Sequence, residues 1–147
     1  MTTILFACVH NAGRSQMAMA WFNALADPAK ARAISAGTDP GPRVHPEVMA
    51  AMAEVGFDLS GAPTSMLTTE LAAGVSMLIT MGCGDQCPVV PGVARDDWPL
   101  TDPKGQPLAA VRAIRDEIRA RVQSLLEQQG WARPASVIAP SPRSRTR

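Results

Sequence analysis

The sequence predicts an α/β fold, a single domain built on a parallel sheet with helices on both faces. Short apolar, β-forming segments alternate with segments whose apolar residues recur at helical spacing, the signature of successive βαβ units. A chain of 147 residues is one domain long. Its 46% hydrophobic and 18% charged residues suffice for a core and argue against disorder of the whole chain.

Taken in order, residues 2–7 read as a short buried strand that ends at Cys8. Met17, Trp21, Phe22 and Leu25 then mark a helix over about 14–26, stopped by Asp27-Pro28. A weaker strand over 31–36 leads into a turn-rich stretch at 37–42. A second helix follows at about 45–55, with Pro46 in its first turn and Gly56 past its end. Residues 75–80 form a third apolar strand between Gly74 and Gly82. The segment 83–107 reads as irregular, with five prolines and the acidic pair Asp96-Asp97. Leu108, Val111, Ile114, Ile118, Val122, Leu125 and Leu126 define a long amphipathic helix opened by Pro107 and closed by Gly130. The domain is expected to end near 131, followed by a disordered Pro/Ser/Arg-rich tail over 132–147.

Aromatic residues make up only 4% and tyrosine is absent, so the core is aliphatic, with Met17, Met19, Met49, Met52 and Met77 mostly packed into it. Net charge is +1 overall. Four arginines and no acid lie beyond residue 131, which leaves the body four charges lower, at −3, and argues against nucleic acid as a partner. No apolar run approaches the ~20 residues of a membrane span, and residues 1–6 lack the basic region of a signal peptide. Three cysteines, Cys8, Cys83 and Cys87, are too few for a secreted disulfide scaffold. The expected compartment is therefore the reducing cytoplasm, where clustered thiols do redox work or bind metal.

In open parallel sheets ligands bind outside the carboxyl ends of the strands. Cys8 stands at one such end, and Cys83 three residues beyond another. If those strands are neighbours, about 4.8 Å apart, both thiols open onto one crevice. Between the first strand and helix runs Cys8-Val9-His10-Asn11-Ala12-Gly13-Arg14-Ser15, with Cys-x5-Arg spacing. Loop and first-turn N–H groups favour negative charge there, and Arg14 adds a planar fork for a tetrahedral oxyanion. The same field favours a thiolate at Cys8, making it a nucleophile; Ser15 can donate to that sulfur, and Asn11 can brace the loop or take a left-handed conformation. The bland reading of Cys8 is a small buried residue ending a strand. The preceding strand, the following helix and the enclosed glycine favour the cradle, with Val9, His10, Asn11, Ala12, Gly13 and Arg14 around the anion. His10 reads as a loop residue rather than a catalytic base.

The strand-loop-helix, with Cys-Val-His-Asn-Ala-Gly-Arg-Ser-Gln-Met-Ala, resembles the low-molecular-weight tyrosine phosphatase superfamily and, more narrowly, the arsenate reductases that share its fold. Ser35-Ala36-Gly37-Thr38, the Gly-Phe-Asp-Leu-Ser ending at Ser60, Thr80-Met81-Gly82-Cys83-Gly84-Asp85-Gln86-Cys87-Pro88 and Asp102-Pro103 occur in the order that family has them. The resemblance covers about residues 2–130. It implies a four-stranded parallel sheet in flavodoxin-like order and arsenate as substrate, with phosphate or sulfate able to occupy the same loop. It also implies no tightly bound cofactor, and a thioredoxin, mycoredoxin-type or low-molecular-weight thiol reductant. Asp102 would be the general acid, its bland alternative being an Asp-Pro turn residue; Asp96 and Asp97 read as a solvated pair.

Reductase and phosphatase share a first step and differ in what resolves the cysteine adduct: a second thiol or water. In the relay that the resemblance supports, Cys83 attacks Cys8 to release arsenite, and Cys87 then takes the disulfide. A disulfide needs Cα atoms roughly 4.4–6.8 Å apart. Four residues span about 6 Å when coiled and ~13 Å when extended, so Cys83 and Cys87 pair only if their segment coils or loops. Their Cys-x3-Cys spacing is shorter than usual for thioredoxin-coupled members, and Met19 stands where those members carry a glutamate linked to potassium. Resolution by an external thiol such as mycothiol stays open. So does a phosphatase acting through Cys8, Arg14 and Asp102, although Lys104-Gly105 replaces the aromatic residues that would grip a phosphotyrosine ring. A metal site or arsenite sensor built on the three cysteines is a third class, disfavoured by Arg14 beside the sulfur.

Overall fold

A computed structural model describes residues 2–82 and 90–133. Four parallel strands, β1 (Thr2–Cys8), β2 (Ala31–Gly37), β3 (Met77–Thr80) and β4 (Ala94–Asp97), lie in the order β2-β1-β3-β4. Cys8 pairs with Gly37 on one side, and Ala7 with Thr80 on the other. The strands that precede Cys8 and Cys83 are therefore direct neighbours, with their carboxyl ends along one edge.

Alternation along β1 divides the core, because successive strand side chains face opposite ways. Ile4, Phe6 and Cys8 join α1 (Arg14–Leu25), α2 (Pro46–Ala53) and α4 (Leu108–Gln129) in the larger cluster. Leu5 and Ala7 pack with Leu67, Ala72, Val75 and Leu78 on the other face, which carries the five-residue α3 (Thr69–Ala73). The apolar stripes of α1 and α4 bury Met17, Trp21 and Phe22 against Val111, Ile114, Ile118, Val122 and Leu126. Gly130 ends α4 in the left-handed conformation, φ 75°. Arg112 and Arg115 of α4 both donate to the Glu54 carboxylate at the end of α2, and Arg115 also reaches Ala51 O at 2.8 Å.

Two elements lie where the sequence suggested none. The segment 83–107, expected to be irregular, contains β4, so Asp96 and Asp97 are strand residues. Both are exposed, and Thr80 Oγ1 donates to Asp97 while Trp98 Nε1 donates to Asp96 at 3.2 Å. The second is α3, capped by Thr68, whose hydroxyl accepts from Leu71 N at 3.0 Å. Ala132 and Arg133, assigned to the tail, are tied to the end of α1, with Arg133 N donating to Leu25 O at 3.0 Å. Residues 134–147 lie outside the described residues, as do Cys83 and Cys87.

Candidate active site

Cys8 ends β1 almost fully buried, and its Sγ lies 2.9 Å from Ser15 Oγ in the first turn of α1. A third residue joins this contact. Asn11 Nδ2 donates to Ser15 Oγ at 2.8 Å. The Asn11 amide is itself oriented, since the Ser65 N–H can only donate and does so to Asn11 Oδ1 at 2.9 Å. Once Cys8 is a thiolate its sulfur can only accept, so Ser15 then donates to Sγ, a charge-assisted bond. Asn11 holds a left-handed φ of 51°, the one positive φ outside glycine among the described residues.

The carbonyls of the loop are bonded to the segment that follows β2. Cys8 O, Val9 O, His10 O and Ala12 O accept from the N–H groups of Thr38, Asp39, Gly41 and His45 at 3.2, 2.8, 2.9 and 2.9 Å. In a planar trans peptide the next N–H points the opposite way. The N–H groups of Val9, His10, Asn11 and Gly13 thus turn away from that segment, and among the described residues none donates to a backbone carbonyl. Gly37 permits the arrangement, because a Cβ there would come within 2.5 Å of Val9 O. The result is a ring of free donors opening into the N-terminus of α1, a setting suited to an anion.

Arg14 is buried, and its guanidinium has a divided role. Nη1 donates to Leu100 O at 3.1 Å, and Nη2 stands 3.8 Å from Asp102 Oδ2. Nε is buried with no partner among the described residues. Nε and Nη2 form the side-on fork that matches two oxygens of a tetrahedral anion, so the fork is open while the remaining nitrogen anchors it. Asp102 sits over this group with its side chain about half exposed, and its Oδ1 accepts from Lys104 N at 3.0 Å. It is thus both a turn residue and a carboxyl group within reach of whatever Arg14 holds.

Of the other residues singled out in the sequence, Ala12 is fully buried in the loop. His10 turns outward, its Nδ1 lying 3.0 Å from Asp39 O. It lines a cleft of about 450 Å³ with Asp39, Arg43, His45 and Lys104, among others, and no Phe, Tyr or Trp. Burial pushes the His45 imidazole below its ordinary pKa, against the opposing pull of Asp102. Gly82, the residue before Cys83, lies directly on the Arg14 guanidinium. The described residues contain no group of three His, Cys, Asp or Glu side chains able to hold a metal. Sequence reasoning missed Gln16, Ser65 and Leu100. The latter two act through backbone atoms that any residue supplies, while Gln16, a buried amide next to Ser15, carried a signal that periodicity overlooks.

The family described as low molecular weight phosphotyrosine protein phosphatase matches residues 3–132. The glutaredoxin arsenate reductase of Synechocystis sp. is 35% identical over 129 residues, an alignment spanning 86% of this chain and 97% of that protein. Among solved structures, the thioredoxin-dependent arsenate reductase of Corynebacterium glutamicum superposes with a TM-score of 0.75 at 37% identity, over 87% of this chain and 61% of that one. A structure titled as an arsenate reductase in the phosphate binding state gives a TM-score of 0.73 at 33% identity, over 87% of this chain and 98% of that one. No helix among the described residues is long and apolar enough to cross a membrane. With Cys8, Asn11, Arg14 and Ser15 brought together where β1 meets α1, and with relatives matched along nearly the whole described chain, the protein belongs to the low molecular weight phosphotyrosine protein phosphatase family.

Proposed function

We propose that the protein reduces arsenate to arsenite through a covalent adduct on Cys8, resolved by Cys83 and then Cys87, in arsenic detoxification. The observation that carries this reading is the contact between Gly82 and Arg14. Gly82 is the residue before Cys83 in the chain, and it lies against the guanidinium that this reading assigns to the anion. The names of its relatives point to the same chemistry.

Arsenate is held by the loop N–H groups and the Arg14 fork. The Cys8 thiolate, with Ser15 donating to it, attacks arsenic to form an S–As bond. One As–O bond breaks, and Asp102 protonates the oxygen that departs as water. The Cys83 thiolate then attacks Cys8 Sγ. The S–As bond breaks with its electron pair going to arsenic, which leaves as arsenite, and a Cys8–Cys83 disulfide forms. Two sulfurs lose one electron each and arsenic gains two. Cys87 attacks Cys83 in turn, freeing the Cys8 thiolate, and an external dithiol of the thioredoxin class reduces the Cys83–Cys87 disulfide.

Hydrolysis of a phosphomonoester is the second reading, because Cys8, Arg14, Ser15 and Asp102 serve its first step equally well. Phosphorus does not accept the electron pair, so water must end that reaction. Among the described residues no Phe, Tyr or Trp lines the cleft beside the loop, which weighs against a phosphotyrosine substrate. Parallel assays decide between them. Arsenite release with a thioredoxin system, lost in Cys8→Ser and Cys83→Ser, supports the reductase. Aryl phosphate turnover indifferent to Cys83→Ser, without arsenite release, supports the phosphatase.

A further inference from the structure

The geometry points to Gln16 as a positioning residue for the nucleophile, acting on Cys8 through Asn11 and Ser15. Its side chain is fully buried in the first turn of α1, where a solvated helix face is the usual place for glutamine. Nε2 carries two protons and uses both. One goes back to Asn11 O at 3.0 Å, and the other crosses to Pro63 O at 2.9 Å. Two residues beyond Pro63, the Ser65 N–H donates to Asn11 Oδ1. Asn11 is therefore gripped at its backbone carbonyl and its side-chain oxygen by the helix and by the 63–65 segment together. That segment is itself fixed to the sheet edge, with Gly37 N donating to Ser65 O at 2.9 Å and Thr64 Oγ1 donating to Gly41 O at 2.6 Å.

This grip has a chemical consequence. A left-handed non-glycine residue relaxes unless its surroundings hold it. With both oxygens engaged, the side-chain group left to Asn11 is Nδ2, which meets Ser15 Oγ. Ser15, held by Asn11, is placed to give its proton to the Cys8 thiolate. Gln16 is one bond further back in that series: Pro63, Gln16, Asn11, Ser15, Cys8. Both Asn11 oxygens are held by N–H donors, so the loop is braced by protein amides.

The inference rests on Cys8 being the nucleophile, and it holds whichever oxyanion the loop takes. The test is alkylation of Cys8 by iodoacetamide in the full chain, followed on the peptide that carries residue 8. Gln16→Met keeps the length and loses the donors. At pH 7 its rate is expected to fall at least about tenfold, the loss of one hydrogen bond to a charged group. At pH 10, where an ordinary thiol is ionised, it should match the wild type. Inorganic phosphate should still protect Cys8 in both proteins. Should Gln16→Met fail to fold, Gln16→Asn, whose shorter amide cannot reach both carbonyls, is expected to show the same pH-selective loss. Equal rates at pH 7 in a folded variant, or equal losses at pH 7 and pH 10, would overturn the assignment. A wild-type Cys8 that reacts no faster at pH 7 than a free thiol overturns the nucleophile reading instead.

Discussion

Gly82 and Arg14 are packed so closely that a Cβ at position 82 would come within 2.3 Å of Nη1, at a φ of +102° that side chains rarely adopt. The lack of a side chain at position 82 leaves room for the guanidinium in the pose in which Nη1 donates to Leu100 O. Gly82→Ala is expected to weaken phosphate binding by at least about tenfold, because the strain and the displaced arginine act in the same direction. Isothermal titration with inorganic phosphate measures this, and unchanged affinity would mean that the contact does not position Arg14.

Arg14→Lys keeps the charge and removes the planar fork. Loss of one of two charge-assisted bonds to the anion corresponds to roughly 1.5–3 kcal/mol, or about 10- to 150-fold in kcat/KM. Steady-state arsenite release measures it, and a lysine variant within twofold of wild type would show that charge alone suffices.

Asp102→Asn retains an oxygen to accept from Lys104 N, so the turn should persist while the acidic proton is lost. The expected outcome is a fall of about 100-fold or more in the rate of adduct formation, with phosphate affinity changed little. Rapid-quench measurement of the first turnover separates the two quantities.

The pairing of Glu54 with Arg112 and Arg115 makes stability depend on pH. Hydrogen bonds from these two arginines hold its carboxyl at about 2, below its ordinary value of 4.5. A depressed carboxylate stabilises the fold above its unfolded pKa, and that contribution is lost as pH falls through 4.5 toward 2. The urea midpoint of wild type should therefore exceed that of Glu54→Gln at pH 6 and converge with it near pH 2. Added salt should narrow the gap, since the pair is partly exposed. A gap independent of pH would assign the effect to packing.

The sequence made the Cys8–Ser15 loop legible because its pattern lies in side-chain identity and spacing: a cysteine ending an apolar strand, an arginine opening a helix, and asparagine and serine between and after them. The neighbouring of β1 and β3, which the sequence reading took as a condition, is present as Ala7 paired with Thr80. What escaped was carried by backbone atoms or by context. β4 reads Ala-Arg-Asp-Asp, is exposed throughout, and becomes a strand through its ladder with β3. At five residues, α3 is too short for a periodic signal. The grip on Asn11 depends on the Ser65 N–H and the Pro63 carbonyl, which no residue type announces.

The proposed chemistry is tested most directly by a single turnover of the Cys87→Ser variant with arsenate in the absence of reductant, quenched with acid and mapped by mass. The expected result is about one arsenite per chain together with a disulfide joining the peptides that carry Cys8 and Cys83. Arsenite release with both sulfurs recovered as thiols, or no arsenite at all while Cys8 remains reactive, would contradict it.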